Sequence, residues 1–195
     1  MKKLSEVIIE KMKDSNSLTE DEEIVQYGLD IIIDKTIFIF VVIIVGFLSN
    51  CLLESIIFAI TFAMLRQYAG GYHAETKRKC FLLSFLTIIA ALCVIRFAEG
   101  YQMLMRALFI ICLISSLYIF LTAPMETANK KFDEDEIRVY GRKARIITVI
   151  IITAVIILYL INFKKLACTA ATSIVVEAYL MLKGFIQNCR NGVSL

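Results

Sequence analysis

The sequence of 195 residues contains no tryptophan, one proline and one histidine. Zinc sites draw their ligands mainly from histidine and cysteine, so a single histidine without any C-x-x-C pair makes a metal centre improbable. The six cysteines show no paired spacing, and five lie within or beside apolar stretches. A disulfide framework is therefore not expected either. We expect no metal and no cofactor.

The excess of positive over negative charge is small, since the chain has 21 Lys and Arg residues against 18 Asp and Glu residues, for a formal net charge of +3. The basic residues stand between apolar runs instead of forming a basic surface with aromatic platforms, which excludes a nucleic-acid partner. The first 35 residues are rich in charge and lack an early apolar core. They therefore do not resemble a secretory signal peptide.

Apolar residues, in contrast, make up 59% of the chain, above the 45–50% that is usual for soluble domains. They concentrate in six runs, which predicts an all-α, polytopic membrane protein with about six transmembrane helices in a lipid bilayer. A full crossing takes about 20 residues, so the second and third runs are short. Either they extend into residues 66–80 or one of them is re-entrant. The runs are 36–53, 55–65, 81–95, 104–121, 146–163 and 166–182.

Residues 1–35 have a different pattern, with apolar residues at helical spacing opposite charged ones. This pattern predicts two short amphipathic helices in the cytoplasm or at the membrane surface. The chain is thus expected to divide into an N-terminal part, 1–35, and a transmembrane part, 36–195.

Lysine and arginine are concentrated in alternate connections: the N-terminal segment, the 66–80 loop, the 122–145 loop and the C-terminal tail. Because cytoplasmic loops carry the excess of basic residues, these connections and both termini are predicted to be cytoplasmic.

The 66–80 loop carries the only histidine, His73, and Cys80 follows it seven residues later. An imidazole and a thiol are the minimum equipment for nucleophilic catalysis by cysteine. The basic residues Lys77, Arg78 and Lys79 favour the thiolate form of Cys80. On one continuous helix the two side chains would be about 10.5 Å apart along the axis. We therefore expect a helix break near residues 70–74, after Gly70-Gly71, with Cys80 at the start of the next span.

Residue types and spacing alone leave other interpretations open. A loop histidine at a membrane surface is more often without catalytic function, and a cysteine that opens an apolar run is usually a small hydrophobe. The chain could then be a peptide transporter or export partner, or a non-catalytic membrane scaffold whose basic loops fix its topology. Neither of these two classes has a chemical need for the Cys80 thiol.

The stretch from Arg66 to Ala74, R-Q-Y-A-G-G-Y-H-A, followed by Cys80, resembles the signature of the accessory gene regulator B family. Weaker matches are Tyr27-Gly28-Leu29-Asp30, Ala123-Pro124, Asn129-Lys130-Lys131 and Glu177-Ala178. Members of this family are bacterial membrane peptidases that process quorum-sensing propeptides. The resemblance implies a cell-membrane cysteine endopeptidase, a homodimer, and a propeptide substrate with an acidic C-terminal tail.

The resemblance also assigns roles, with Cys80 as nucleophile and His73 as its acid/base partner. It implies supporting roles for Arg66 and Gly71, and it places Lys130 and Lys131 in a loop that binds the substrate. After cleavage, a side chain of the propeptide attacks the thioester and closes a thiolactone or lactone ring.

Three acidic residues complete the list of candidates. Glu75 and Glu126 could orient His73, by charge alone, or could be solvated loop carboxylates. Glu177 lies within the last apolar run, where an unpaired carboxylate costs at least a few kcal/mol. Its partner would be Arg66 or a lysine near the catalytic loop, and it would line the chamber that binds the peptide. The alternative is a position near the membrane surface, with the carboxylate reaching toward water.

Overall fold

The computed structural model describes residues 4–14, 22–72, 76–126 and 133–190; within its helices, the side chains of Leu4, Lys77, Arg78 and Cys80 are not described. The regular structure in these ranges is helical, which confirms the predicted all-α class. The helices are α1 (Leu4–Asp14), α2 (Glu22–Leu48), α3 (Leu52–Ala69), α4 (Lys77–Gly100), α5 (Gln102–Thr122), α6 (Glu134–Leu160) and α7 (Lys164–Arg190).

Six of the described helices, α2 to α7, are long and apolar enough to cross a membrane, as predicted. The two runs that were short in the sequence are lengthened by their flanking polar residues. α3 continues to Ala69 and α4 already begins at Lys77. At 18 residues, α3 is long enough for a crossing, although near the lower limit.

The boundaries of the first span differ from the prediction. α2 ends at Leu48 instead of residue 53, because Asn50 adopts a left-handed conformation with a φ of 53°. Asparagine tolerates the left-handed conformation. A residue in that conformation ends the helix. α2 also begins as early as Glu22, so the second amphipathic segment and the first span form one helix. No proline interrupts the sequence between them.

The chain divides into two compact units, Met1–Ile44 and Val45–Leu195. In the first unit, the hydroxyl of Ser5 donates a hydrogen bond of 2.7 Å to Oδ1 of Asp30. Lys13 and Glu22 form an ion pair of 2.6 Å. These two contacts attach α1 to the N-terminal part of α2.

In the second unit α7 is the central helix and packs against α3, α4, α5 and α6. In the apolar stretch of α7, 67% of the residues are buried, against 28% or less in the other spans. Small residues on a helix allow its neighbours to approach closely. The buried part of α7 is rich in them: Ala167, Ala170, Ala171, Ser173, Ala178 and Gly184.

Two ion pairs show that α3 and α7 run in the same direction. Near the start of both helices, Nζ of Lys165 lies 3.1 Å from Oε1 of Glu54. Further along, Nη1 of Arg66 lies 3.6 Å from Oε1 of Glu177. The same number of residues separates the two pairs on each helix, so the helices stay in register between them. The pairs have opposite polarity, because α3 supplies the acid to the first and the base to the second.

Candidate active site

Two glycines follow α3, and their backbone conformations are strained for most other residues. Gly70 has a φ of 78° and Gly71 has a φ of 110°, both in the left-handed region that glycine enters at little cost. A Cβ on Gly71 would lie 2.7 Å from Nη1 of Arg66 and 3.1 Å from Cα of Met181. Residues 70–72, called here the 70–72 loop, therefore pass close to both α3 and α7.

Arg66, in the last turn of α3, holds this loop by its carbonyl groups. Its Nη1 donates a hydrogen bond of 2.6 Å to the carbonyl of Gly70, and its Nη2 donates to the carbonyl of Tyr72. The planar guanidinium presents several donors in a fixed geometry, so one side chain fixes two peptide groups. The second of these peptide groups directly precedes His73.

α7 holds the same loop from the other side. The amide of Tyr72 donates a hydrogen bond of 3.0 Å to the carbonyl of Leu180. A Cβ on Gly184 would lie 2.7 Å from the Tyr72 nitrogen, so this approach requires a glycine one turn further along α7. The ammonium of Lys183 lies 4.1 Å from the centre of the Tyr72 ring, within the range of a cation–π contact.

Residues 124–126, called here the 124–126 segment, form the third wall of the site. The amide of Met125 donates a hydrogen bond of 2.8 Å to the carbonyl of Ala69, and Met125 and Gly70 form an isolated parallel bridge. The side-chain amide of Asn188, on α7, donates a bond of 2.8 Å to the carbonyl of Glu126. The ends of α3, α5 and α7 thus meet around the 70–72 loop.

Glu177, on α7, has no exposed surface. Neither of its carboxylate oxygens accepts a hydrogen bond within the part of the chain that the structure describes. The guanidinium of Arg66 is the cation that faces it, at 3.6 Å. The sequence named Arg66 as one of two possible kinds of partner for this carboxylate, and that contact is confirmed.

The structure therefore brings together three of the predicted residues: Arg66, Gly71 and Glu177. Cys80 lies in the first turn of α4, which begins at Lys77, as expected for a residue at the start of the next span. The side chain of Thr76 caps this helix by accepting a bond of 3.3 Å from the Lys79 amide. The remaining candidates, His73, Glu75, Lys130 and Lys131, lie outside the described residues.

An apolar groove of about 550 Å³ runs along the 124–126 segment. Tyr118 and Thr122 of α5, Ile137 of α6, and Leu182 and Phe185 of α7 contribute to its walls. Its volume lies within the range of roughly 300–1,000 Å³ that is typical of ligand pockets. Met125 connects the groove to the 70–72 loop, because it lines the groove and its amide bonds to the carbonyl of Ala69, the residue directly before the loop.

Sequence reasoning named Glu177 on α7 and Glu126, but it missed the contacts that Leu180, Gly184 and Asn188 of α7, and Met125, make around the 70–72 loop. Gly184 carried a usable signal, because a glycine inside a helix usually marks a close approach by other parts of the chain. Among the described residues, no group of histidine, cysteine and acidic side chains is arranged to hold a metal ion.

Comparison with known proteins identifies relatives along nearly the whole chain. The model of the accessory gene regulator B family, AgrB, matches residues 1–182. A protein designated AgrB-like protein 2, from Clostridium perfringens (strain 13 / Type A), is 32% identical over 181 residues, which cover 88% of this chain and 85% of that protein. An AgrB-like protein of Clostridium perfringens (strain SM101 / Type A) is 29% identical over 185 residues, covering 91% and 85% respectively. No solved structure shows significant similarity to the chain.

Proposed function

This chain belongs to the accessory gene regulator B family, whose members process autoinducing peptides, and we propose that it is a membrane-embedded cysteine endopeptidase. Its substrate is a quorum-sensing propeptide, from which it removes the acidic C-terminal tail. Cys80 is the nucleophile and His73 is its acid/base partner.

The reaction proceeds in two transfers. The Cys80 thiolate attacks the carbonyl carbon of the scissile peptide bond, and a carbon–sulfur bond forms as the carbon–nitrogen bond breaks. His73 supplies the proton that the leaving amine of the tail takes up. A cysteine or serine side chain of the propeptide then gives its proton to His73 and attacks the thioester carbonyl, which closes the ring and releases Cys80 as the thiolate. Shielding of the thioester from bulk water protects it from hydrolysis.

The observation that carries this proposal is the way in which the 70–72 loop is held. Arg66, α7 and the 124–126 segment all bond to it or to the residue directly before it, and His73 is the next residue along the chain. Catalysis by a positioned imidazole requires a backbone fixed to within about 0.5 Å. A transporter or a scaffold has no need for a loop fixed in this way.

The proposal for the substrate has two parts. The groove along the 124–126 segment receives apolar residues of the propeptide near the scissile bond, because it is continuous with the 70–72 loop through Met125. Lys130 and Lys131 attract the acidic tail. Glu177, which the sequence suggested as a substrate contact, is covered by protein in the structure, and its direct contact with the peptide stays a prediction.

The proposed topology places the termini, the active site and the 122–145 loop in the cytoplasm, where a newly made propeptide is available. It rests on the alternation of basic residues between connections. We also propose a homodimer, on the basis of the family.

Substitution of Cys80 tests the proposal most directly. Cys80→Ala and Cys80→Ser should abolish cleavage of a co-expressed propeptide, read as the absence of a gel shift, while membrane insertion is unchanged. Cys93→Ala is the matched control, since Cys93 is an exposed free cysteine on the same helix, and it should process normally. Normal processing by Cys80→Ala would exclude the peptidase and favour the transporter.

A further inference from the structure

Glu177 is buried at unusual cost for a carboxylate that protein covers on every side. It has no exposed surface, it lies in the central helix of its unit, and its oxygens accept no hydrogen bond from the residues that the structure describes. A buried carboxylate in this state is strongly unfavourable unless a cation compensates it. A glutamine or leucine at this position would avoid the cost, so its charge calls for an explanation.

The explanation lies in what Arg66 does with its other nitrogen–hydrogen groups. Nη1 faces Oε1 of Glu177 at 3.6 Å and donates to the carbonyl of Gly70 at 2.6 Å, while Nη2 donates to the carbonyl of Tyr72. An arginine side chain has many rotamers, and losing them costs free energy. A fixed negative charge in a medium of low dielectric restricts the guanidinium to the place where it reaches both carbonyls.

We propose that Glu177 is a positioning residue that acts through Arg66, which it holds against the 70–72 loop so that the loop presents His73 to Cys80. This inference rests on the proposed function, because it assigns His73 and Cys80 their catalytic roles. Glu177 itself touches neither the substrate nor the reacting atoms in this role.

The 70–72 loop has other attachments that neutralising Glu177 would leave in place. A positioning role and a purely structural role of Glu177 therefore make different predictions. The bonds from Tyr72 to Leu180 and from Met125 to Ala69 do not involve either charged side chain. With Glu177 neutralised, the loop stays attached to α7, but the guanidinium is free to leave one or both carbonyls. The loss should therefore fall on kcat, while KM changes little.

The matched control is the other ion pair between the same two helices. Glu54 and Lys165 also join α3 to α7, at 3.1 Å, and Glu54 is also buried. This pair lies near the opposite ends of the helices from the 70–72 loop. Glu54→Gln therefore removes a comparable contact between α3 and α7 without touching the loop.

The experiment uses the full-length protein in detergent with a synthetic propeptide. Glu177→Gln should lower kcat about 10- to 100-fold, as expected when a reacting group is displaced by about 1 Å, with KM within about twofold. Glu54→Gln should leave kcat unchanged. The rate at which iodoacetamide alkylates Cys80, with the other cysteines replaced, should show an altered pH profile in Glu177→Gln alone. Equal behaviour of the two variants would overturn the proposal.

A double variant tests whether Glu177 acts through Arg66. Arg66→Lys keeps the positive charge but cannot donate to two carbonyls at once. If the two residues act as one unit, Arg66→Lys with Glu177→Gln should lose no more activity than Arg66→Lys alone. Fully additive losses would contradict the proposal, and an effect on KM alone would show that Glu177 binds the peptide instead.

The neutral double variant Arg66→Gln with Glu177→Gln covers the case in which a single variant fails to accumulate. It leaves no unpaired buried charge, so it should reach the membrane, and it should still be inactive because both loop carbonyls lose their charged donor. Wild-type kcat in this variant would overturn the inference. Activity in Cys80→Ala would overturn the proposed function instead, so the two failures can be told apart.

Discussion

The amide of Tyr72 donates a hydrogen bond of 3.0 Å to the carbonyl of Leu180. The Leu180 carbonyl belongs to a continuous helix, α7, and it is accessible to the loop because position 184, one turn further along, is a glycine. The residue that directly precedes His73 is thus bonded to the central helix of its unit.

Gly184→Ala should impair catalysis without unfolding the protein. The added Cβ would lie 2.7 Å from the Tyr72 nitrogen and 3.0 Å from the Gly71 carbonyl carbon, so the 70–72 loop must move. Because alanine favours the helix by about 1 kcal/mol over glycine, α7 should remain formed. We expect kcat to fall about 10- to 100-fold and Tm to change little. Gly100→Ala is the control, since its Cβ would meet no atom within 4 Å. Wild-type kcat in Gly184→Ala would show that the close approach has no catalytic importance.

The two basic segments should affect different kinetic constants. Neutralising Lys130 and Lys131 together should raise KM by about fivefold or more, because each ion pair with the acidic tail contributes about 1 kcal/mol even in water. Neutralising residues 77–79 should instead slow acylation at neutral pH, because these residues favour the Cys80 thiolate. Steady-state kinetics with a synthetic propeptide separate the two effects. If both sets raise only KM, by similar factors, residues 77–79 serve the topology alone.

A bulky side chain in the groove along the 124–126 segment should weaken substrate binding. Leu182→Trp extends into this groove and should raise KM several-fold with little change in kcat. Leu160→Trp is the matched control, because Leu160 lines a separate apolar groove between α5 and α6, of about 420 Å³. Equal KM values for the two variants would place the peptide elsewhere.

The topology can be tested with single cysteines in an otherwise cysteine-free protein. Glu75→Cys and Asp135→Cys should be shielded from a membrane-impermeant thiol reagent in intact cells and should react after permeabilisation. Gly100→Cys should react in intact cells, because it lies at the opposite end of α4 from Lys77. Labelling of position 75 from outside would place the active site on the outer side of the membrane. A newly made propeptide is in the cytoplasm, so this result would contradict the proposed topology.

The helices of this protein could be predicted from sequence more fully than its site. Apolar runs identify spans because a bilayer demands about 20 apolar residues for each crossing, and the number of crossings was predicted correctly. The end of α2 was predicted wrongly, because the left-handed turn at Asn50 lies inside an apolar run and has only a weak local signal. The division of the chain at residue 35 stays a prediction, although α2 passes through that position without a break.

The site depended on relationships that no local pattern encodes. The sequence shows that Glu177 lies within an apolar run and needs a cationic partner, but it does not distinguish Arg66 from a lysine as that partner. The bonds from Tyr72 to Leu180 and from Met125 to Ala69 join segments that are distant along the chain. Which carbonyl of α7 faces the loop is set by the packing of α7 against its four neighbours, and that packing follows from the whole set of helices.

The opposite polarity of the two ion pairs between α3 and α7 restricts how hybrid proteins can be assembled from relatives. A hybrid that takes α7 from one relative and α3 from another could place two acids or two bases opposite each other at either pair, Glu54–Lys165 or Arg66–Glu177. Where the relative that supplies α7 lacks an acid at position 177, the hybrid would also leave the Arg66 guanidinium without the carboxylate that faces it. Helices α3 and α7, together with the 70–72 loop, therefore form the smallest unit that keeps both ion pairs and the bonds from Arg66 and Leu180 to the loop when segments are exchanged between relatives.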